Sequence, residues 1–259
     1  MPNWRRFGWT WDQLGRQNAL GAILTVDGKV ADWNIREFLA TGTLDVGRFM
    51  SDLERLSPGT PHTRLLDFGC GVGRVTRVFA DHFDAVVGVD VAPSMIEWAR
   101  SLHADCDRCT FVLNRAPNLK CFPSESFNVA YSRIVLQHIR PGVVKGYIPE
   151  LVRVLAPGGV LMFQLPEVMP VDSRRLFEEA PVVGNSLKRR LPKGLVRAWR
   201  RLKYPFLTTS SGAKIEMFGM PREEVEAIIR RSGGRLLEAK PDNSHGPDGR
   251  GFEYWVTKP

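Results

Sequence analysis

Between residues 64 and 166 short apolar runs alternate with stretches in which apolar positions recur every three or four residues. The pattern predicts strands at 64–69, 85–90, 110–114, 127–132 and 160–165, with helices near 73–83, 94–104 and 143–155. Strands and helices in that alternation form a parallel sheet covered on both faces. Upstream, Asn34 to Ala40 reads as a short amphipathic piece ending at Thr41-Gly42. Thr43 then caps a second helix with Leu44, Val46, Phe49, Met50, Leu53 and Leu56 on its apolar face, stopped by Ser57-Pro58-Gly59. Downstream, Pro221 opens a helix over 222–231, and two last strands follow at about 235–240 and 252–257. The expected organisation is a helical cap over 1–60 and a main domain over 61–259, with an insertion over 167–218. No internal repeat or low-complexity tract interrupts it.

Composition narrows the class. Hydrophobic content of 43% and charged content of 25% are those of a soluble globular chain, and no run approaches the length of a membrane-spanning helix. The N-terminal MPNWRRFGWTWDQLG lacks the apolar core and small-residue site of a secretory signal. Cys70, Cys106, Cys109 and Cys121 make no disulfide scaffold in a chain this long, so a reducing, cytoplasmic location is expected. His103 and the last three cysteines are potential zinc ligands, but no paired CxxC appears and small buried thiols are the better reading; no metal is expected. The net charge of +8 is concentrated between Asn185 and Lys203, which hold Lys188, Arg189, Arg190, Lys193, Arg197, Arg200, Arg201 and Lys203 without one acid. That segment reads as a solvated lid face, as a surface for an anionic or membrane-associated acceptor, or, last, as a nucleic-acid surface.

The chemistry centres on Arg64 to Phe79, RLLDFGCGVGRVTRVF. An apolar run ends in Asp67, Gly69, Gly71 and Gly73 follow at alternate positions, and a helical pattern begins. Glycines let the backbone turn sharply and bring its N–H groups close to a ligand. The spacing is GxGxG, which differs from the GxGxxG of dinucleotide binders, and no Gly-Lys-Ser/Thr follows to make a phosphate loop. The turn alone is also compatible with an ordinary strand-to-helix connection. The next run, AVVGVD, again ends in an acid, Asp90, which can accept hydrogen bonds from both hydroxyls of a ribose.

Acid-tipped first strand, GxGxG and acid-tipped second strand together resemble the class I S-adenosylmethionine-dependent methyltransferases, in their small-molecule, ubiquinone- and menaquinone-methyltransferase-like branch. The resemblance implies that Asp67, Gly69, Gly71 and Gly73 hold the amino-acid half of S-adenosylmethionine and Asp90 its ribose. Val91-Ala92-Pro93-Ser94-Met95 is similar to the family's VSxxM, which implies that Met95 packs on adenine and that Val91 belongs to the cofactor site. Leu151 to Gly159 resembles LxRVLKPGG, and the last two strands resemble the family's closing hairpin, in which the final strand inserts between strands five and six. After strand three the family offers an acid to the adenine amino group. Here Arg115 stands in that position, flanked by Asn114 and Ala116. Arginine cannot accept a hydrogen bond, so either the Asn114 carbonyl takes over or backbone and packing hold the ring.

Methyl transfer from a sulfonium is an in-line displacement that requires alignment in a dry site, and a base only when the acceptor keeps its proton. Tyr131-Ser132-Arg133-Ile134-Val135-Leu136-Gln137-His138 resembles the family's SxxVLxH element, which implies Ser132 and Gln137 near the methionine half. His138 is the candidate catalytic residue, as base or acceptor-orienting group, or else a helix-end histidine on a carbonyl. Glu216 and His245 are candidate further polar groups, with structural roles as the alternative. For Trp4, Trp9, Trp11 and Trp33, packing of the cap competes with ligand stacking. The expected fold is α/β: a doubly wound seven-stranded, mostly parallel, Rossmann-like sheet with an N-terminal helical cap and a lid insertion after strand five. The expected activity is methyl transfer to a small-molecule acceptor, a hydroxyl of a glycan, lipid-linked or polyketide-like compound. An RNA or protein methyltransferase and a non-catalytic cofactor-binding partner are the alternatives.

Overall fold

A computed structural model describes residues 2–26, 29–30, 33–168, 216–242 and 250–259. In chain order it comprises α1 (Pro2–Ile23), the paired β1 (Thr25–Val26) and β2 (Lys29–Val30), α2 (Ile35–Leu56), β3 (Arg64–Phe68), α3 (Thr76–Phe79), β4 (Ala85–Asp90), α4 (Pro93–Leu102) and β5 (Cys109–Leu113). There follow β6 (Phe127–Ser132), α5 (Pro141–Val154), β7 (Leu155–Val168), α6 (Arg222–Arg231), β8 (Arg235–Asp242) and β9 (Arg250–Thr257). The main sheet has seven strands in the order β5-β4-β3-β6-β7-β9-β8. β5 through β7 pair in parallel, while β9 is antiparallel to both its neighbours, so the last strand lies between the fifth and sixth of the sheet as expected. The strand order reverses between β3 and β6, and in open α/β sheets ligands collect at the carboxyl ends beside such a switch point.

Alternation along the strands divides the core. Leu66, Val87, Val89, Ala130, Leu161 and Phe163 face one way and pack with α5 and α6. Leu65, Val86, Val129, Tyr131, Val160 and Met162 face the other way, against Val46, Phe49 and Leu53 of α2. There Phe49 stacks on Trp255 with ring centroids 5.0 Å apart. Burying one such aromatic ring contributes about 1.5–3 kcal/mol, which makes α2 part of the core that fixes the sheet.

Three helices differ from the sequence expectation. The two pieces divided at Thr41-Gly42 are one helix, α2, capped by Asn34, whose side chain accepts from the Arg36 N–H. Gly42 is a contact residue: a Cβ there would lie 2.5 Å from the Arg74 carbonyl, so glycine permits the helix to approach the glycine turn. α3 is shorter than the helix expected over 73–83, because Gly73 has φ +82° and no helix begins before the chain leaves that left-handed turn. α1, not located by hydrophobic spacing, runs from Pro2 to Ile23 and bends at Asn18 (φ −160°, ψ 82°), whose Oδ1 accepts from Gly21 N at 3.0 Å. The basic segment and His245 lie outside the described residues, as does the expected insertion over 167–218 apart from its two ends.

Candidate active site

The turn after β3 is built for close approach. Gly69, Gly71 and Gly73 have φ of +81°, +54° and +82°, where a side chain is strained whatever the space around it. Space is lacking too. A Cβ on Gly69 would collide with Val135, and one on Gly71 would lie 2.7 Å from Ile23 of α1. The turn is tied to the next strand by Asp90, whose Oδ2 accepts from Gly71 N at 3.0 Å and Oδ1 from Ala92 N at 2.9 Å. Burial raises the Asp90 pKa, opposed by these N–H bonds. Asp67 is buried beneath the turn and accepts from Thr76 Oγ1 at 2.5 Å. Its carboxyl is pushed up to about 7 by burial, against the opposing pull of Thr76 and Arg74.

Above the turn lies an open cavity with about 830 Å³ of empty space, its solvent-filled mouth included. Of the residues singled out in the sequence, Gly69, Gly71, Asp90, Val91, Met95, Asn114 and His138 line it. Asp67, Gly73, Arg115, Ala116, Ser132 and Gln137 do not. The loop after β5 is braced from several sides. Asn114 accepts from Ala116 N at 3.0 Å and donates to Asn118 O at 2.6 Å, while the Arg115 and Ala116 carbonyls accept from Trp4 Nε1 and Tyr147 OH, each at 2.8 Å. The Asn114 carbonyl, already serving one N–H, keeps a second lone pair for an adenine-like ring. Ser132 is buried at the end of β6, and its hydroxyl has no hydrogen-bond partner among the described residues. His103, the candidate zinc ligand, is buried with Nε2 3.0 Å from Val72 O, and no group of three or more potential metal ligands occurs among the described residues.

The opposite wall comes from α1 and from the turn after β6. Trp4, Phe7 and Trp11 line the cavity, with Trp4 stacked on Phe7 at 4.9 Å and Trp11 edge-on to His138 at 5.1 Å. Ile134, also on the wall, has φ +60°, an unusual conformation for a β-branched residue. Its N–H donates to Gln164 Oε1 at 3.1 Å. An N–H can only donate, so Gln164 turns its NH₂ to Gln137 Oε1 at 3.2 Å, and Gln137 turns its own NH₂ to His138 Nε2 at 3.3 Å. That network makes Nε2 the bare nitrogen of His138, and Nδ1–H donates to the Glu216 carbonyl at 3.2 Å. Glu216 itself pairs with Arg140 at 3.2 Å. Gln137, expected near the methionine half, is 4% exposed and takes part in this chain of bonds.

Residues that the sequence did not single out complete the wall. Arg74 and Arg133 line the cavity and share one carboxylate, Asp45 of α2, at 2.8 and 2.7 Å. Arg74 follows the third glycine directly and Arg133 sits inside the strand-four element, but neither position distinguishes them from surface arginines. Asp45 had no signal at all, because its role depends on where α2 lands.

Residues 65–159 match a methyltransferase domain family. Through these residues the chain carries a methyltransferase domain. It is 34% identical over 126 residues to the trans-aconitate 2-methyltransferase of Methylobacterium radiotolerans, covering 46% of this chain and 44% of that one. It is 31% identical over 129 residues to the phosphoethanolamine N-methyltransferase of Triticum aestivum, covering 48% and 24%. The chain thus aligns with less than half the length of these curated relatives. The fold is shared with the magnesium protoporphyrin IX methyltransferase of Synechocystis PCC 6803 with bound SAH, at a TM-score of 0.54, 14% identity and coverage of 88% of this chain and 90% of that one.

Proposed function

We propose that this chain binds S-adenosylmethionine over the glycine turn and transfers its methyl group to a small-molecule acceptor held between α1 and the turn after β6. The observation that carries the reading is convergence: a glycine cradle, a ribose-competent carboxylate at Asp90, and Val91, Met95 and Asn114 open onto one cavity whose far wall is aromatic and carries His138. The donor set fits the cofactor. Asp90 would accept from the ribose hydroxyls, Val91 and Met95 would pack on adenine, and the glycine-turn backbone would meet the amino-acid end. S-adenosylmethionine supplies an electrophilic methyl carbon. The chain's residues supply alignment, and the apolar wall of Trp4, Phe7 and Trp11 excludes water from the reacting face.

The names of the relatives support a small acceptor, since phosphoethanolamine and trans-aconitate are both small and both carry acid groups. A hydroxyl acceptor would require a proton acceptor on the wall, the role His138 would fill. No helix among the described residues is long and apolar enough to cross a membrane, and cytoplasmic residence is part of this proposal through the four free cysteines. Calorimetric titration with S-adenosylmethionine and S-adenosylhomocysteine, followed by transfer of a tritiated methyl group to a small-molecule panel, tests the reading. Saturable binding and transfer are expected. Failure to bind either compound overturns it, and binding without transfer supports the non-catalytic cofactor-binding alternative.

A further inference from the structure

We propose that Arg133, held by Asp45, anchors a carboxylate on the acceptor, and that the acceptor oxygen methylated is a carboxylate oxygen. The inference rests on the methyltransferase reading and replaces the hydroxyl acceptor expected from sequence. Its first leg is the state of the proton acceptors on the wall. Among the described residues lining the cavity, Asp90, His138 and Tyr147 are the groups able to take a proton. Asp90 has both oxygens on backbone N–H groups, and Tyr147 donates to the Ala116 carbonyl. His138 has Nε2 on the Gln137 amide and Nδ1–H on the Glu216 carbonyl. Tyr147 and His138 are committed to the fold, and Asp90 to the fold and to the cofactor ribose, whereas a hydroxyl acceptor must surrender a proton as it is methylated. A carboxylate arrives without one. Its oxygen forms the new bond to the methyl carbon, the methyl–sulfur bond breaks with its electron pair left on sulfur, and no proton is released.

The second leg is the guanidinium pair. Arg133 and Arg74 are largely buried, with side chains 19% and 9% exposed, and they come from the acceptor-side turn and the glycine turn respectively. One carboxylate, Asp45, serves both at short range. Glu253 is 3.6 Å from Arg133 Nε, beyond a hydrogen bond, and Thr41 Oγ1 accepts from Arg74 at 3.1 Å. All the hydrogen bonds that these two guanidinia make to described residues run through Nη1. Arginine is always charged and offers a planar fork of donors that matches a carboxylate in two bonds. Among the described residues no guanidinium nitrogen is fully buried without a partner, and both arginines line the cavity. The aromatic wall opposite suits an unsaturated or aromatic body on the same molecule.

A carboxylate is also present on the amino-acid end of the cofactor, and the test separates the two sources. The full-length protein, saturated with S-adenosylhomocysteine, is titrated with two matched pairs, cinnamate with cinnamyl alcohol and decanoate with decanol, and binding is read by saturation-transfer NMR. At least one carboxylate is expected to bind at least about tenfold more tightly than its alcohol. Arg133→Gln is expected to bring the two level while changing S-adenosylhomocysteine affinity less than about threefold, with Arg133→Lys intermediate. Retained S-adenosylhomocysteine binding shows that the variants fold. With tritiated methyl donor, the product counts should be released as methanol by mild alkali, the mark of an ester.

Equal binding of acid and alcohol, no binding by either carboxylate, or an Arg133→Gln defect confined to S-adenosylhomocysteine overturns the assignment. So does alkali-stable methyl transfer to an alcohol or amine, which leaves the methyltransferase reading intact. A wild-type protein that binds no S-adenosylhomocysteine removes both.

Discussion

The turn after β3 and the turn after β6 sit side by side at the carboxyl edge of the sheet, and both force the backbone into the left-handed region. They are stabilised in different ways. In the first, three glycines take the positive φ at no steric cost, and the ligand-facing surface is backbone tied down by Asp90. In the second, an isoleucine holds φ +60°, which costs about 1 kcal/mol or more and persists because Gln164, 0% exposed, takes its N–H. One turn is written in local residue types. The other is enforced by a side chain from a neighbouring strand, thirty positions away in the chain.

The comparison can be broken by substitution. The largest effect is expected from Gly69→Ala, where positive φ and the collision with Val135 act together. Thermal melts should show a loss of about 3–4 kcal/mol, a fall of roughly 6–12 °C for a chain of this size. Asp90→Ala comes next. S-adenosylmethionine affinity should fall about a hundredfold by calorimetry, because the carboxylate proposed to meet the ribose and the ties to Gly71 and Ala92 are lost at once. An unchanged affinity would show that the glycine turn works without its carboxylate.

Gln164→Leu probes the other turn. It leaves the Ile134 N–H and the Gln137 carbonyl without a partner, at about 2 kcal/mol in urea unfolding. It should also shift the ¹⁵N resonances of the His138 ring as the tautomer loses its constraint. Unmoved resonances would mean that the relay does not set the ring.

A smaller effect comes from pH at Asp67. Its folded pKa, about 7, lies above the ordinary 3.8, so its protonated form favours the folded chain. That advantage is complete below pH 3.8 and is lost as the pH climbs through about 7. Asp67→Asn cannot titrate. Relative to wild type it should gain at least about 1 kcal/mol between pH 4 and pH 8, measured by urea unfolding at each pH. The smallest effect is expected at Arg140→Ala. This residue pairs with Glu216 in the open, both side chains more than half exposed. A change below about 0.5 kcal/mol should appear in thermal melts.

The fold and part of the cavity wall were readable in the chain because their determinants are local. Strand alternation, the glycines, the acids ending β3 and β4, and the Pro157-Gly158-Gly159 turn each fix the conformation of residues within a few positions of themselves. The sheet order then follows from the family resemblance. The outer ends of elements were less readable: Gly42 resembles a break until the Arg74 carbonyl is seen against it, and β7 begins at Leu155, ahead of the glycines, because Phe127 pairs with it across a register shift. α1 escaped because its apolar positions serve two surfaces, Trp4 packing into the core beside Tyr147 and Trp11 turning to His138.

The sequence by itself determined a doubly wound sheet, a glycine turn with positive φ and an acid at the tip of β4, since residue type alone settles each. Only the tertiary structure decided what His138 and Arg133 are able to do. An imidazole is a base or a fixed wall according to what occupies its two nitrogens, and here one partner comes from the adjacent Gln137 and the other from a carbonyl 78 residues on. An arginine is a surface charge or an anion anchor according to how its counter-charge is shared, and Asp45 reaches both guanidinia only because α2 packs against the glycine turn. Charge, hydrogen-bond direction and burial act over a few ångströms of space, and the order of residues in the chain does not specify that distance.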